Sequence, residues 1–96
     1  MPTYVVLAKF TQQGIQDAKE IPKRREAGRK AAADLGMTLR EGLLTMGKYD
    51  LVLLLDAPDD ATMAQYVIRL GMQGNLSTQT LRAFSEAEVD QILGSI

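Results

Sequence analysis

The stretch MGKYDLVLLLD, residues 46–56, decides the predicted fold. Its five-residue apolar run LVLLL is continuous rather than alternating, which indicates a strand that is covered on both faces. We therefore predict a central strand over Tyr49–Asp56. Gly47 and Lys48 ahead of it match a two-residue hairpin loop of type II′, with glycine at the first central position. This loop would join the central strand to a more polar edge strand over Thr38–Met46.

The other elements follow from apolar spacing and from capping residues. Thr3–Phe10 is rich in β-branched and aromatic residues and nearly all apolar, which predicts a second central strand. Leu76–Phe84 alternates and is polar in its first half, which is typical of an edge strand. Thr11 is predicted to cap a short helical turn, and a longer helix is predicted from Pro22 to Leu35, ended by Gly36. A third helix begins at Pro58 and Asp59-Asp60 and is closed by Gly71 and Gly74. The C-terminal helix has a capping box formed by Ser85 and Glu88.

The resulting order, β-α-β-β-α-β-α, begins with the split βαβ arrangement of a ferredoxin-like α+β fold and fits one domain over residues 1–96. In that fold the sheet order is 4-1-3-2, which makes strands one and three central, and these are the two continuously apolar strands. The helices cover only one face of such a sheet. The other face would expose an apolar patch of several hundred Å², which monomers rarely tolerate. We expect a second copy to cover it in a homodimer or a higher oligomer, with the short C-terminal helix as the alternative cover.

Composition excludes several kinds of chemistry. The 96 residues are 46% hydrophobic and 24% charged, as in an ordinary globular domain. Cysteine and histidine are both absent, which removes thiolate nucleophiles, disulfides and the commonest metal ligand and general base. Asp59-Asp60 are sufficiently explained as the start of a helix. We therefore expect no metal and no cofactor.

The net charge of −1 conceals an asymmetry along the chain. Residues 1–49 hold nine Lys/Arg and five Asp/Glu, a net of +4, and residues 50–96 hold two and seven, a net of −5. Six basic residues lie between Lys19 and Lys30, which favours a solvated helix face over an anion or partner patch. Nothing indicates a nucleic-acid partner. The N-terminus has no basic leader region and no run of about 20 apolar residues is present, so we expect no membrane partner and a cytoplasmic location.

Several short segments resemble the GYD domain family, small proteins of the dimeric α+β barrel class. The matching segments are Phe10-Thr11 with Gly14-Ile15, Pro22-Lys23-Arg24, Gly47-Lys48-Tyr49-Asp50, Ala57-Pro58-Asp59-Asp60, Gly74-Asn75 and Thr80-Leu81-Arg82-Ala83-Phe84. They span nearly the whole chain in the expected order. The resemblance implies a ferredoxin-like fold in a dimer or larger assembly, and it implies little about activity.

Tyr49 and Asp50 are the candidate site residues. Aspartate is disfavoured in strands, and a buried carboxylate needs partners, which Lys9, Arg40 or Arg82 would supply. In one interpretation Gly47 and Lys48 form a turn and Asp50 binds nearby backbone amides. In the other, Tyr49 and Asp50 with Lys9 and Arg82 bind a small oxygenated ligand at the mouth of a pocket between the sheet and the helices.

Three function classes follow. The preferred hypothesis is a small-molecule binding or sensing oligomer. The alternatives are a cofactor-independent enzyme of the small-oxygenase or isomerase type and a purely structural interaction module.

Overall fold

The computed structural model describes residues 1–96 and contains one four-stranded antiparallel sheet and four helices. The strands are β1 (Thr3–Phe10), β2 (Thr38–Leu44), β3 (Leu51–Asp56) and β4 (Leu76–Ala83). The helices are α1 (Gln12–Gln16), α2 (Ile21–Asp34), α3 (Asp60–Met72) and α4 (Glu86–Gly94), and a 3₁₀ turn at Ala18–Glu20 precedes α2. The strand order β2-β3-β1-β4 is the predicted order read from the opposite edge, so the prediction of a ferredoxin-like α+β sheet is confirmed.

The predicted helix caps are present. The Thr11 hydroxyl accepts a hydrogen bond from the Gly14 N–H at the start of α1, and the Asp59 side chain accepts from the Thr62 N–H at the start of α3. Ser85 and Glu88 form the reciprocal capping box of α4. Each cap satisfies backbone donors that the helix itself leaves unpaired.

The prediction of a two-residue hairpin loop between β2 and β3 is wrong. Gly47 and Lys48 do lie in the turn, and Gly47 has φ +129°, which favours glycine. The closing pair, however, is Thr45 and Asp50, whose N–H and carbonyl are 2.8 Å apart. The Thr45 hydroxyl also donates to the Tyr49 carbonyl at 2.6 Å, which holds a wider loop in place of a tight turn. Both strands are therefore shorter than predicted at this end.

The hydrophobic core occupies one end of the layer between sheet and helices. Tyr4 and Val6 of β1 and Leu55 of β3 pack there with Met63 and Tyr66 of α3. The three strand residues occupy alternating or paired positions of β1 and β3, so their side chains lie on the face of the sheet that the helices cover.

The opposite face of the sheet is open. The apolar side chains of its centre are only partly buried, although β1 and β3 are the inner strands: Val5, Leu7, Val52 and Leu54. At the flanks, Leu43 is 51% exposed and Leu81 is 42% exposed. The C-terminal helix α4 makes little contact with the sheet, and its own Ile92 and Leu93 are exposed, so within one chain α4 does not cover this face.

No helix of the structure combines the length and the apolar character that crossing a membrane requires.

Candidate functional site

The structure brings Lys9, Lys48 and Tyr49 together on the open face of the sheet. The Lys9 and Lys48 ammonium nitrogens lie 5.5 and 5.7 Å from the centroid of the Tyr49 ring, which is cation–π distance. The Tyr49 hydroxyl donates to Gln79 Oε1 at 2.8 Å. These groups form a polar border at one end of the open face.

Asp50 is bound to backbone rather than to a cation. Its Oδ2 accepts a hydrogen bond from the Phe10 N–H at 2.8 Å, and its own N–H donates to the Ala8 carbonyl at 2.8 Å. The carboxylate thereby satisfies a donor at the last residue of β1 and extends the pairing of β1 and β3 by one step. This geometry is the one expected of a residue that holds the strand ends together.

Arg82 lies at the other end of the sheet, where it faces Tyr4 in the β1–β4 register. Its guanidinium carbon is 5.6 Å from the Tyr4 ring centroid and 4.4 Å from that of Phe84. The Tyr4 hydroxyl donates to Asp60 at the start of α3, and burial together with this carboxylate raises the pKa of Tyr4 to about 12. The four predicted ligand residues, Tyr49, Asp50, Lys9 and Arg82, therefore do not surround one pocket.

A cavity of about 250 Å³ lies between the helices and the sheet, at the end where β1 finishes and β3 begins. Its sheet side includes Phe10, Leu51 and Leu53, and its helix side includes Ile21 of α2 and Leu70 of α3. Most of the lining is hydrophobic. The cavity therefore continues the apolar layer beyond the end of the packed core.

Small residues and one tyrosine separate the core from the cavity. The Tyr66 hydroxyl donates to the Gly28 carbonyl at 3.0 Å, which joins α3 to α2 at this point. A Cβ atom on Gly28 would lie only 3.3 Å from that hydroxyl, so the close approach depends on glycine. Burial raises the pKa of the Tyr66 hydroxyl above its ordinary value, so it remains a neutral donor.

The α1 segment and the loop after α3 close this end of the domain. The Thr11 N–H donates to the Asn75 carbonyl at 3.1 Å, its hydroxyl donates to the Gly74 carbonyl at 2.6 Å, and the Gln13 amide donates to Asn75 Oδ1 at 3.0 Å. Gly14 is buried against this loop, where a Cβ atom would lie 2.1 Å from the Asn75 carbonyl oxygen. The junction fixes Asn75, which lines the cavity.

Two arginines border the cavity without a carboxylate partner. Arg24 donates from Nη1 to the Gly14 carbonyl at 3.1 Å and from Nη2 to the Asp17 carbonyl at 2.8 Å. Arg25 is exposed, and neither an ion pair nor a side-chain hydrogen bond engages it. The arginine–carboxylate pairs of the chain all involve other arginines. The mouth of the cavity is therefore electropositive.

The sequence predicted a pocket between the sheet and the helices with Tyr49 and Asp50 at its mouth, but neither residue lines the observed cavity. The sequence analysis assigned Arg24 and Arg25, which do line it, only to a basic run interpreted as a solvated helix face. The available clue was that three of the segments carrying the family resemblance, which contain Gly14, Arg24 and Asn75, meet in the structure at one place. Their sequence separation gives no indication of that contact.

The structure contains no group of three or more metal-ligating His, Cys, Asp or Glu side chains.

Comparisons with known proteins agree on one family. The GYD domain family matches residues 4–93. The chain is 31% identical over 90 residues to the glutamine synthetase and cystathionine β-lyase binding protein of Thermus thermophilus, a match that covers 93% of this chain and 95% of that protein. It also resembles the crystal structure of a Thermus thermophilus protein, with a TM-score of 0.55, 29% identity, and coverage of 88% of this chain and 95% of the other.

Proposed function

The chain belongs to the GYD domain family, and from this premise we propose that it is a protein-binding module that acts as an oligomer of its own chain. The relative from Thermus thermophilus is named for binding two enzymes, glutamine synthetase and cystathionine β-lyase. That name supports a role in which this chain also contacts other proteins rather than transforming a substrate.

The observation that carries self-association is the open face of the sheet. Its centre is apolar, and its border holds the Lys9–Tyr49 group at one end and the Arg40–Asp56 ion pair at the other, where Arg40 Nε lies 3.0 Å from Asp56 Oδ2. An apolar centre with a polar rim is the usual composition of a protein interface.

The accessible surface of the chain is larger than that of a typical monomer by about the area that a partner would cover. A monomeric globular protein of 10.5 kDa has an accessible surface of about 5,400 Å². This chain exposes 6361 Å². The excess of about 900 Å² includes the exposed helix α4 as well as the open face, and it is of the order of the roughly 800 Å² that each partner contributes to a standard interface. The radius of gyration of 14.3 Å likewise exceeds the roughly 12.5 Å expected for 96 residues.

Native mass spectrometry and sedimentation equilibrium test the self-association. We expect the unmodified chain to be a dimer or larger at about 10 μM, and a double variant Leu43→Lys/Leu81→Lys to be monomeric with an unchanged circular dichroism spectrum. Ile68→Lys is the matched control, because Ile68 is 61% exposed on α3, away from the open face. A monomeric unmodified chain contradicts the proposal.

Binding of other proteins is tested separately. Immobilised chain is exposed to purified glutamine synthetase and purified cystathionine β-lyase, and we expect saturable binding to at least one of them. Absence of binding to both contradicts this partner choice and leaves the oligomer result unaffected.

A second role, small-molecule binding or sensing, is favoured by the cavity at the end of β1. The cavity is mainly apolar, and polar groups converge at its rim, which is the usual character of a ligand site. Its 250 Å³ lies just below the roughly 300–1,000 Å³ usual for such sites, which suits a ligand of modest size.

A further inference from the structure

We propose that the cavity between α2, α3 and the sheet binds an anion with an apolar body, of the class of a medium-chain or aromatic monocarboxylate. This assignment rests on the second proposed role, small-molecule binding, and is independent of self-association. Three observations carry it: the apolar interior, the uncompensated positive charge at the mouth, and the size of the cavity.

The interior selects an apolar body. Phe10, Leu51 and Leu53 are only partly buried although they lie on the helix-covered face, because the helices leave them uncovered at this end. A ligand that covers these side chains removes apolar surface from water, which is favourable in proportion to the area. A strongly hydrated ligand such as a sugar would gain nothing from these walls.

The mouth selects a negative charge. Arg24 is held by two backbone carbonyls, so its guanidinium is fixed in place while its charge stays uncompensated. Arg25, the next residue along α2, is exposed and unpaired, and it can turn to the entrance. A carboxylate is planar and matches the donor geometry of a guanidinium. The neighbouring rim residues Gln73 and Asn75 are neutral, and none of the residues that line the cavity is a carboxylate.

The volume limits the length of the ligand. A cavity of about 250 Å³ is suited to a ligand of modest length. Octanoate, with ten non-hydrogen atoms, fills such a space with its chain while the carboxylate stays at the entrance.

Octanoate titration followed by ¹H–¹⁵N NMR of the full chain tests the proposal, with 1-octanol as the neutral ligand of equal length. We expect octanoate to shift the amides around Phe10, Leu51 and Leu70 with a Kd at or below about 1 mM. We expect 1-octanol to bind about threefold to tenfold more weakly, and the difference to shrink in high salt.

Two variants localise the binding. Gly42 lines the cavity, and a Cβ atom there meets only the Leu53 side chain at 3.5 Å, which is ordinary contact. Gly42→Leu should therefore fill the cavity without disturbing the strand, and octanoate shifts at the cavity should disappear. Arg25→Ala should weaken octanoate about threefold to tenfold and leave 1-octanol unchanged. Lys30→Ala, which removes a charge from α2 outside the cavity, is the control.

The outcomes separate the ligand class from the role. If octanoate and 1-octanol bind equally and Arg25→Ala changes neither, the anionic class is wrong and small-molecule binding stands. If neither ligand shifts the cavity amides at several millimolar, the proposed ligand class is overturned. If Gly42→Leu, folded by its NMR spectrum, retains the octanoate shifts, the site is wrong.

Discussion

Replacement of Gly14 by alanine should destabilise the protein, whereas the same replacement at Gly71 should stabilise it. Both glycines lie in helical segments, and alanine is the better helix former by up to about 1 kcal/mol. Their surroundings differ. A Cβ on Gly14 would lie 2.1 Å from the Asn75 carbonyl oxygen, and a Cβ on Gly71 would meet nothing within 4 Å.

The loss of stability expected for Gly14→Ala depends on which groups must move to make room for the Cβ atom. Both colliding groups are backbone, so α1 and the loop after α3 must separate by roughly 1 Å, and overpacking of this kind costs about 1–3 kcal/mol. The separation also weakens the hydrogen bonds that Thr11 makes to Gly74 and Asn75, each worth about 1 kcal/mol. After the gain in helix propensity, we expect a net loss of about 2–4 kcal/mol. At about 4–8 °C per kcal/mol for a domain of this size, Tm should fall by roughly 10–30 °C.

Thermal and urea unfolding followed by circular dichroism measure both variants. Protein concentration must be matched, because the stability of an oligomer depends on it. Gly71→Ala should raise the free energy of unfolding by about 0.5–1 kcal/mol. A Gly14→Ala variant that unfolds at or above the temperature of the unmodified chain would refute the close approach of α1 to Asn75.

Two further perturbations test residues outside the cavity. Asp50→Ala should lower the free energy of unfolding in urea by about 1–3 kcal/mol, because the Phe10 N–H loses a charged acceptor. Octanoate affinity should be unchanged, and unchanged stability would contradict the structural role of Asp50. The pKa of Tyr4 is about 12 in the folded chain and about 10 in the unfolded chain. Above pH 10 the tyrosine therefore loses its proton in the unfolded state first, and the free energy of unfolding should fall as the pH rises towards 12. Tyr4→Phe should reduce that pH dependence in urea unfolding between pH 9 and 11.5, and an identical slope in the two proteins would contradict the buried, Asp60-bonded tyrosine.

The strands and their order could be predicted because they depend on local pattern. Continuous apolar runs placed β1 and β3 at the centre, and the alternating segments placed β2 and β4 at the edges, as observed. The width of the hairpin loop could not be predicted in this way, because it depends on side-chain hydrogen bonds that the turn preferences of Gly47-Lys48 do not reflect. The Thr45 hydroxyl and the Asp50 carboxylate both bind backbone and thereby hold the wider loop open.

The residues of the candidate site could not be predicted from local sequence pattern for a related reason. Tyr49 and Asp50 were singled out because an aspartate at the start of an apolar strand is unusual, and the structure explains that aspartate by one backbone amide of β1. The cavity instead lies between elements that are distant in sequence, and small residues such as Gly28 of α2 and Gly42 of β2 are part of its lining. Small residues in a helix or strand indicate close packing as readily as a void, and only the tertiary arrangement distinguishes the two.

Successive side chains of β2 lie on opposite faces of the sheet, so substitutions at two adjacent residues can test the two proposals separately. Gly42 pairs with Leu53 and lies on the helix-covered face, where it lines the cavity, whereas Leu43 pairs with Val52 and lies on the open face. Because successive side chains of a strand point to opposite faces, a bulky residue at 42 and a charge at 43 act on different surfaces. Gly42→Leu should abolish octanoate binding and leave the oligomer intact, while the Leu43→Lys/Leu81→Lys variant should dissociate the oligomer and still bind octanoate. If either variant changes both properties, the cavity and the oligomer interface are coupled, and the assignment of one role to each face of the sheet is wrong.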